Sequence, residues 1–133
     1  MKNIKSHVKE WNVDIVTPKT ITFARLGGLS NAVWKAKINP EGTRDLAVRD
    51  QLKKIEPQTL LYRYFKCALS NKEIERDIFE VLSETGQGPK LYFQNEKIRI
   101  ESFFLSRPLT IFEMRNEIFM RNFGQQICDF NYN

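Results

Sequence analysis

Arg25-Leu26-Gly27-Gly28-Leu29-Ser30-Asn31-Ala32-Val33-Trp34 joins two apolar-rich segments, residues 20–26 and 32–38, through a turn of small and polar residues. Both flanks read as strands, so the stretch predicts a β-hairpin bent at Gly27-Gly28. Such a hairpin can lay backbone N–H groups over a phosphate, because glycine permits close approach. A diglycine more often serves a plain hairpin by supplying positive φ, and the chain lacks the GxxxxGK[ST] spacing of a Walker loop. The pair gains meaning only from what surrounds it.

Working outward, Ile4, Val8 and Trp11 recur at helical spacing and predict a short amphipathic helix over residues 3–12, for packing or for a partner. Residues 39–58 mix Pro40, Gly42 and Pro57 with charges and read as a connection, with a helical turn around 46–52. Residues 59–65, Thr-Leu-Leu-Tyr-Arg-Tyr-Phe, read as a buried strand. Ser70 or Asn71 can cap a helix with Ile74, Ile78, Val81 and Leu82 on one side, stopped by Gly86 and Gly88-Pro89. Strands near 90–94 and 97–104 follow, then a final helix from about Glu113 carrying Ile118, Phe119, Phe123, Ile127 and Phe130. The expected class is α+β: a five-stranded, mainly antiparallel sheet with one main packing helix and flanking N- and C-terminal helices.

At 133 residues with 41% apolar content the chain suits one globular domain. No apolar run approaches the roughly 20 residues a membrane-spanning helix needs, so a soluble, cytoplasmic protein is expected. Cys67 and Cys128 have neither CxxC spacing nor a histidine partner, which leaves no zinc site or disulfide scaffold and suggests buried thiols. The net charge of +5 is interleaved with acids, as in Lys72-Glu73-Ile74-Glu75-Arg76-Asp77, and forms no block. That pattern, without RNP, KH or helix-turn-helix signatures, argues against nucleic acid as a partner.

Arg63 stands in the middle of an apolar strand, where it either points to solvent or meets an anion, since an unpaired buried charge is costly. Glu75, early in the following helix, is a candidate partner able to orient the guanidinium, with Glu73 and Glu80 as rivals.

Taken together these pieces resemble the choline and ethanolamine kinases. Leu26-Gly27-Gly28-Leu29-Ser30-Asn31 is similar to their GG(L/M)SN loop, and Leu61-Tyr62-Arg63-Tyr64 to the strand carrying their nucleotide-contacting arginine. The run from Ile74-Glu75 to Leu82-Ser83-Glu84 resembles their helix, and Gly88-Pro89-Lys90-Leu91-Tyr92 their GPxLY segment. Ile100-Glu101-Ser102-Phe103-Phe104-Leu105-Ser106-Arg107-Pro108-Leu109 looks like their E(Q/E)(F/Y)(I/L)xxRxL run. The likeness spans about residues 20–131 in order. Tyr62, Phe65 and Lys66 depart from the usual strand, and Phe104-Leu105 stands where a proline is common nearby.

The resemblance implies a kinase-like N-terminal lobe over residues 20–110, preceded by a lead-in over 1–19 and followed by a helix over 111–133 leading to a C-terminal lobe that the chain lacks. It implies that Gly27, Gly28, Leu29, Ser30, Asn31, Ala32 and Val33 cover the ATP phosphates, with Leu29, Ser30 and Asn31 closest to the reacting end. By the same resemblance Arg63 contacts the phosphates and Glu75 holds it, as a strand cation and a helix glutamate do in protein kinases. Ser102, Phe103 and Arg107 belong to the implied hinge segment, where main-chain groups of Ser102 and Phe103 meet adenine.

ATP and Mg2+ are the implied cofactors. The catalytic base and the magnesium ligands lie in the family's C-terminal lobe, so no catalytic or metal-binding residue is assigned here. His7 has no HxD context, and Asp129-Phe130-Asn131 continues a helix face and is rejected as a metal motif. The implied function is the ATP-binding lobe of an enzyme that transfers the γ-phosphoryl group to choline or ethanolamine, competent only when completed by a C-terminal lobe or other protein neighbour. The alternatives are a non-catalytic structural or assembly subunit derived from such a kinase, and a related phosphotransferase of the aminoglycoside type.

Overall fold

The sheet that the hairpin opens has five strands, with every neighbouring pair antiparallel. The structure is a computed structural model that describes residues 2–27, 31–66 and 72–132. The strands are β1 (Ile21–Gly27), β2 (Asn31–Ile38), β3 (Thr59–Phe65), β4 (Leu91–Gln94) and β5 (Ile98–Ser102), and they lie in the order β1-β2-β3-β5-β4. The helices are α1 (Lys2–His7), α2 (Leu46–Lys53), α3 (Lys72–Glu84), α4 (Ile111–Met114) and α5 (Glu117–Tyr132). The chain divides into two compact units, Met1–Phe103 and Phe104–Asn133.

In the first unit the strand alternation gives the sheet two chemically different faces. Leu60 and Ile100 are fully buried, whereas Leu61, Arg63 and Phe65 alternate with Leu60, Tyr62 and Tyr64. The apolar face is covered by the N-terminal lead-in and α2. Ile4, Val8, Trp11 and Val16 form one cluster with Ile21, Ile38, Leu52, Leu60 and Ile100. Trp11 Nε1–H donates to the Pro57 carbonyl at 2.7 Å, which satisfies the indole's polar atom inside this core. The predicted entrance helix therefore begins the core itself, as α1 followed by a single 3-10 turn, Lys9–Trp11.

Residues 39–58 are more ordered than a plain connection. Asp45 caps α2 by accepting from the Ala47 and Val48 N–H groups. Gly42 lies against the lead-in, where an added Cβ would stand 1.9 Å from the Lys19 carbonyl oxygen, so no other residue fits.

Helix α3 runs as the periodicity predicts and gives way to a left-handed Gly86 at φ +72. The expected capping residue, Ser70 or Asn71, lies outside the described residues. The expected packing face is corrected. Ile74, Ile78 and Val81 are each more than half exposed, and the half-buried positions are Glu75, Arg76, Phe79, Leu82 and Ser83. The sheet face on this side carries charges, so the helix meets it with a carboxylate and an aromatic ring.

The second unit holds α4 and α5. The single expected helix is broken at Arg115 and Asn116, where the Asn116 side chain accepts from the Ile118 N–H and starts α5. Cys128 is exposed, which corrects its expected burial, while Cys67 lies outside the described residues.

Candidate functional site

On the second sheet face, β3 places Arg63 directly opposite Val33 of β2 on one side and Arg99 of β5 on the other. Two cations cannot share a register position unless anions separate them. Glu101, two residues beyond Arg99 on the same face, does so. Its Oε1 accepts from Arg63 Nη2 at 2.9 Å, and its Oε2 stands 3.1 Å from Arg99 Nε. Arg99 Nη2 donates to Glu75 Oε1 of α3 at 2.9 Å.

The expected direct pair between Arg63 and Glu75 is therefore replaced by a chain of alternating charges: Arg63, Glu101, Arg99, Glu75. The reason is geometric, since the register sets Arg99 between β3 and the helix. Burial changes along the chain. The side chains of Glu101 and Arg99 are 3% and 6% exposed, against 27% for Arg63 and 44% for Glu75. The two ends meet solvent, and the two central members are desolvated.

Arg99 is further fixed by two rings. Its guanidinium lies 3.9 Å from the Phe79 centroid of α3 and 5.1 Å from that of Phe65. Arg99 and Glu101 carry no role in a reading of motifs alone. The available signal was Arg99-Ile100-Glu101, two charges flanking an isoleucine in an otherwise apolar strand, a pattern that demands mutual neutralisation.

At the hairpin, Gly27 adopts φ +90 where the β1–β2 register shifts, a conformation suited to glycine. Gly28, Leu29 and Ser30 lie outside the described residues. Asn31 opens β2, Ala32 is buried, and Val33 shares the face of Arg63. Lys35, two residues on, sets its ammonium 4.3 Å from the Phe103 ring centroid. At the end of β5 the Ser102 N–H donates to the Lys90 carbonyl and the Ser102 hydroxyl accepts from the Lys90 N–H, both at 2.9 Å. The Ser102 N–H is therefore engaged within the sheet, and Phe103 is the first main-chain position beyond the strand.

Arg107 belongs to the second unit and grips Glu113, with Nη1 donating to Oε2 at 2.8 Å and Nη2 to Oε1 at 2.5 Å. Glu113 closes a capping box on Thr110, accepting from its N–H and hydroxyl. Hydrogen bonding from Arg107, then from Thr110, holds the Glu113 carboxyl well below the usual carboxylate range. Because the folded value is lowered, the stabilisation of α4 is present above the ordinary glutamate pKa of about 4.3 and is lost as pH falls below it. In a carbon-detected NMR titration Glu113 should remain ionised at a pH that protonates an ordinary glutamate, and high salt should weaken this effect because the pair is exposed.

Among the described residues no group of three or more His, Cys, Asp or Glu side chains is arranged to hold a metal ion, and no helix is long and apolar enough to cross a membrane.

The model of a family described as choline/ethanolamine kinase matches residues 23–131. No curated protein sequence matches the chain. Among solved structures, the fold matches a choline kinase from Cryptosporidium parvum Iowa II with a TM-score of 0.63 and 19% sequence identity. The match covers 82% of this chain and 27% of that one.

Proposed function

The chain belongs to the choline/ethanolamine kinase family, and we propose that it supplies the ATP-binding lobe of a phosphotransferase acting on choline or ethanolamine. The observation that carries this reading is Arg63. It sits on the central strand beside the glycine hairpin, anchored through one nitrogen to a buried carboxylate and still 27% exposed. A guanidinium held in this way is fixed in direction and keeps N–H donors for phosphate oxygens. Gly27, Asn31, Ala32 and Val33 are assigned to covering the phosphates, the role that the resemblance also gives to Gly28, Leu29 and Ser30, which lie outside the described residues. Main-chain groups of Ser102 and Phe103 are assigned to the base, and Arg107 to the segment that follows.

Catalysis requires a base for the substrate hydroxyl and acids for Mg2+. In this proposal both come from a C-terminal lobe, and the complete enzyme works in the cytoplasm on phospholipid precursors. The alternative, an assembly subunit without catalysis, draws support from the exposed Ile74, Ile78 and Val81 on α3. The absence of a direct pair between Arg63 and Glu75, which are joined only through Glu101 and Arg99, favours it further.

Calorimetric titration with MgATP tests the reading. The chain should bind MgATP weakly, phosphorylate neither choline nor ethanolamine alone, and lose about tenfold in affinity on Arg63→Met, the worth of one charge-assisted hydrogen bond. Unchanged affinity in that variant rules out the phosphate role, and turnover by the chain alone rules out the need for a second lobe.

A further inference from the structure

We infer that Arg99 is a positioning residue for nucleotide binding: it neutralises Glu101 so that Arg63 is held by that carboxylate without being consumed by it. The inference rests on the phosphate role proposed for Arg63 and adds to it the group that makes the role possible.

Glu101 is 3% exposed and touches two cations. A carboxylate at such a depth cannot draw on water, so its charge must be balanced by its neighbours. With Arg99 present the demand is divided. Arg63 gives Glu101 one hydrogen bond, from Nη2, and Glu101 is the sole anionic partner of Arg63 among the described residues. Arg99 supplies the second positive charge at 3.1 Å through an ion-pair contact outside hydrogen-bond alignment, since Arg99 Nε and Glu101 Oε2 each lack a hydrogen-bond partner.

The fit is specific to arginine. One guanidinium spans Glu101 and Glu75 while its carbon sits over the rings of Phe79 and Phe65. A lysine ammonium is a compact point charge and cannot reach both carboxylates from one slot. Without Arg99 the whole of the Glu101 charge falls on Arg63. That cation is then drawn to the carboxylate and its field towards a phosphate is largely cancelled.

The test uses the full chain titrated with MgATP and, separately, with adenosine, and circular dichroism establishes that each variant is folded. Arg99→Met should weaken MgATP binding about five- to tenfold and leave adenosine unchanged, a coupling of ordinary size. Adding Glu101→Gln should restore MgATP affinity, because the amide still accepts from Arg63 and no longer carries charge. Adding Glu80→Gln instead gives the same net charge at an exposed position on α3 and should restore nothing.

Arg99→Lys, which keeps the charge but not the reach to both carboxylates, serves if Arg99→Met fails to fold, and should weaken MgATP binding by more than about twofold and by less than Arg63→Met does. MgATP affinity within about twofold of the parent in Arg99→Met or Arg99→Lys, the limit of additivity error, overturns the positioning role. So does equal rescue by Glu80→Gln, which would reduce the effect to bulk charge. If Arg63→Met itself leaves MgATP binding intact, the phosphate reading falls and the positioning role falls with it, an outcome distinct from loss of the role in Arg99 variants alone.

Discussion

Trp11→Ala should unfold the first unit at a temperature more than about 10 °C below the parent chain, as expected when a few kcal/mol are lost from a domain of this size. Trp11 is fully buried, in one cluster with Ile4, Val8 and Val16 from the lead-in and with Leu52, Leu60 and Ile100 from the rest of the unit. Removing a buried tryptophan ring costs about 3–5 kcal/mol, from lost transfer free energy and from the cavity left behind. A further loss comes from the Pro57 carbonyl, whose indole donor at 2.7 Å disappears. Against a total stability of roughly 5–15 kcal/mol the change is severe. Trp34 provides the comparison. It is only half-buried, edge-on to Tyr62 with ring centroids 6.0 Å apart, and Trp34→Ala should cost distinctly less. Urea and thermal denaturation followed by circular dichroism measure both. Equal midpoints for the two variants would show that the lead-in is an accessory to the core and not part of it.

The local structure was readable where a single physical signal dominated. Gly27 at the end of β1, the aromatic run of β3 and the glycines after α3 each follow from steric rules acting over a few residues, and the described elements stand where those rules put them. The side on which an element packs is settled by distant residues, and there the reading failed. Ile74, Ile78 and Val81 make a regular apolar stripe, yet they remain exposed because α3 meets a sheet face bearing Arg63, Arg99 and Glu101. Likewise Ile4, Val8 and Trp11 announce an amphipathic helix, and nothing local states that their apolar face fills the main core. For the candidate site, Arg63 and Glu75 were legible as a strand cation and a helix acid. The two charges between them were not, because their pairing depends on β3–β5 register, a contact between residues 38 positions apart.

The second large effect follows from that register. Glu101→Ala should destabilise the first unit by about 3–5 kcal/mol, the range for removing one partner of a buried ion pair. The mechanism differs from that of Trp11→Ala. The volume lost is small, and the cost lies in the cations left behind. Arg99, with a 6% exposed side chain, keeps only Glu75, and Arg63 keeps no anion among the described residues. Glu101→Gln should cost less, since its carbonyl oxygen can still accept from Arg63 Nη2. The cost should also fall when Arg99 is replaced in the same chain: Arg99→Met with Glu101→Ala should be less destabilised than the sum of the two single variants, because the buried charges leave together. A double-mutant cycle from urea midpoints reads the coupling directly. Additive losses would mean that Glu101 and Arg99 contribute independently, and the alternating chain of charges would then be a geometric coincidence rather than an energetic unit.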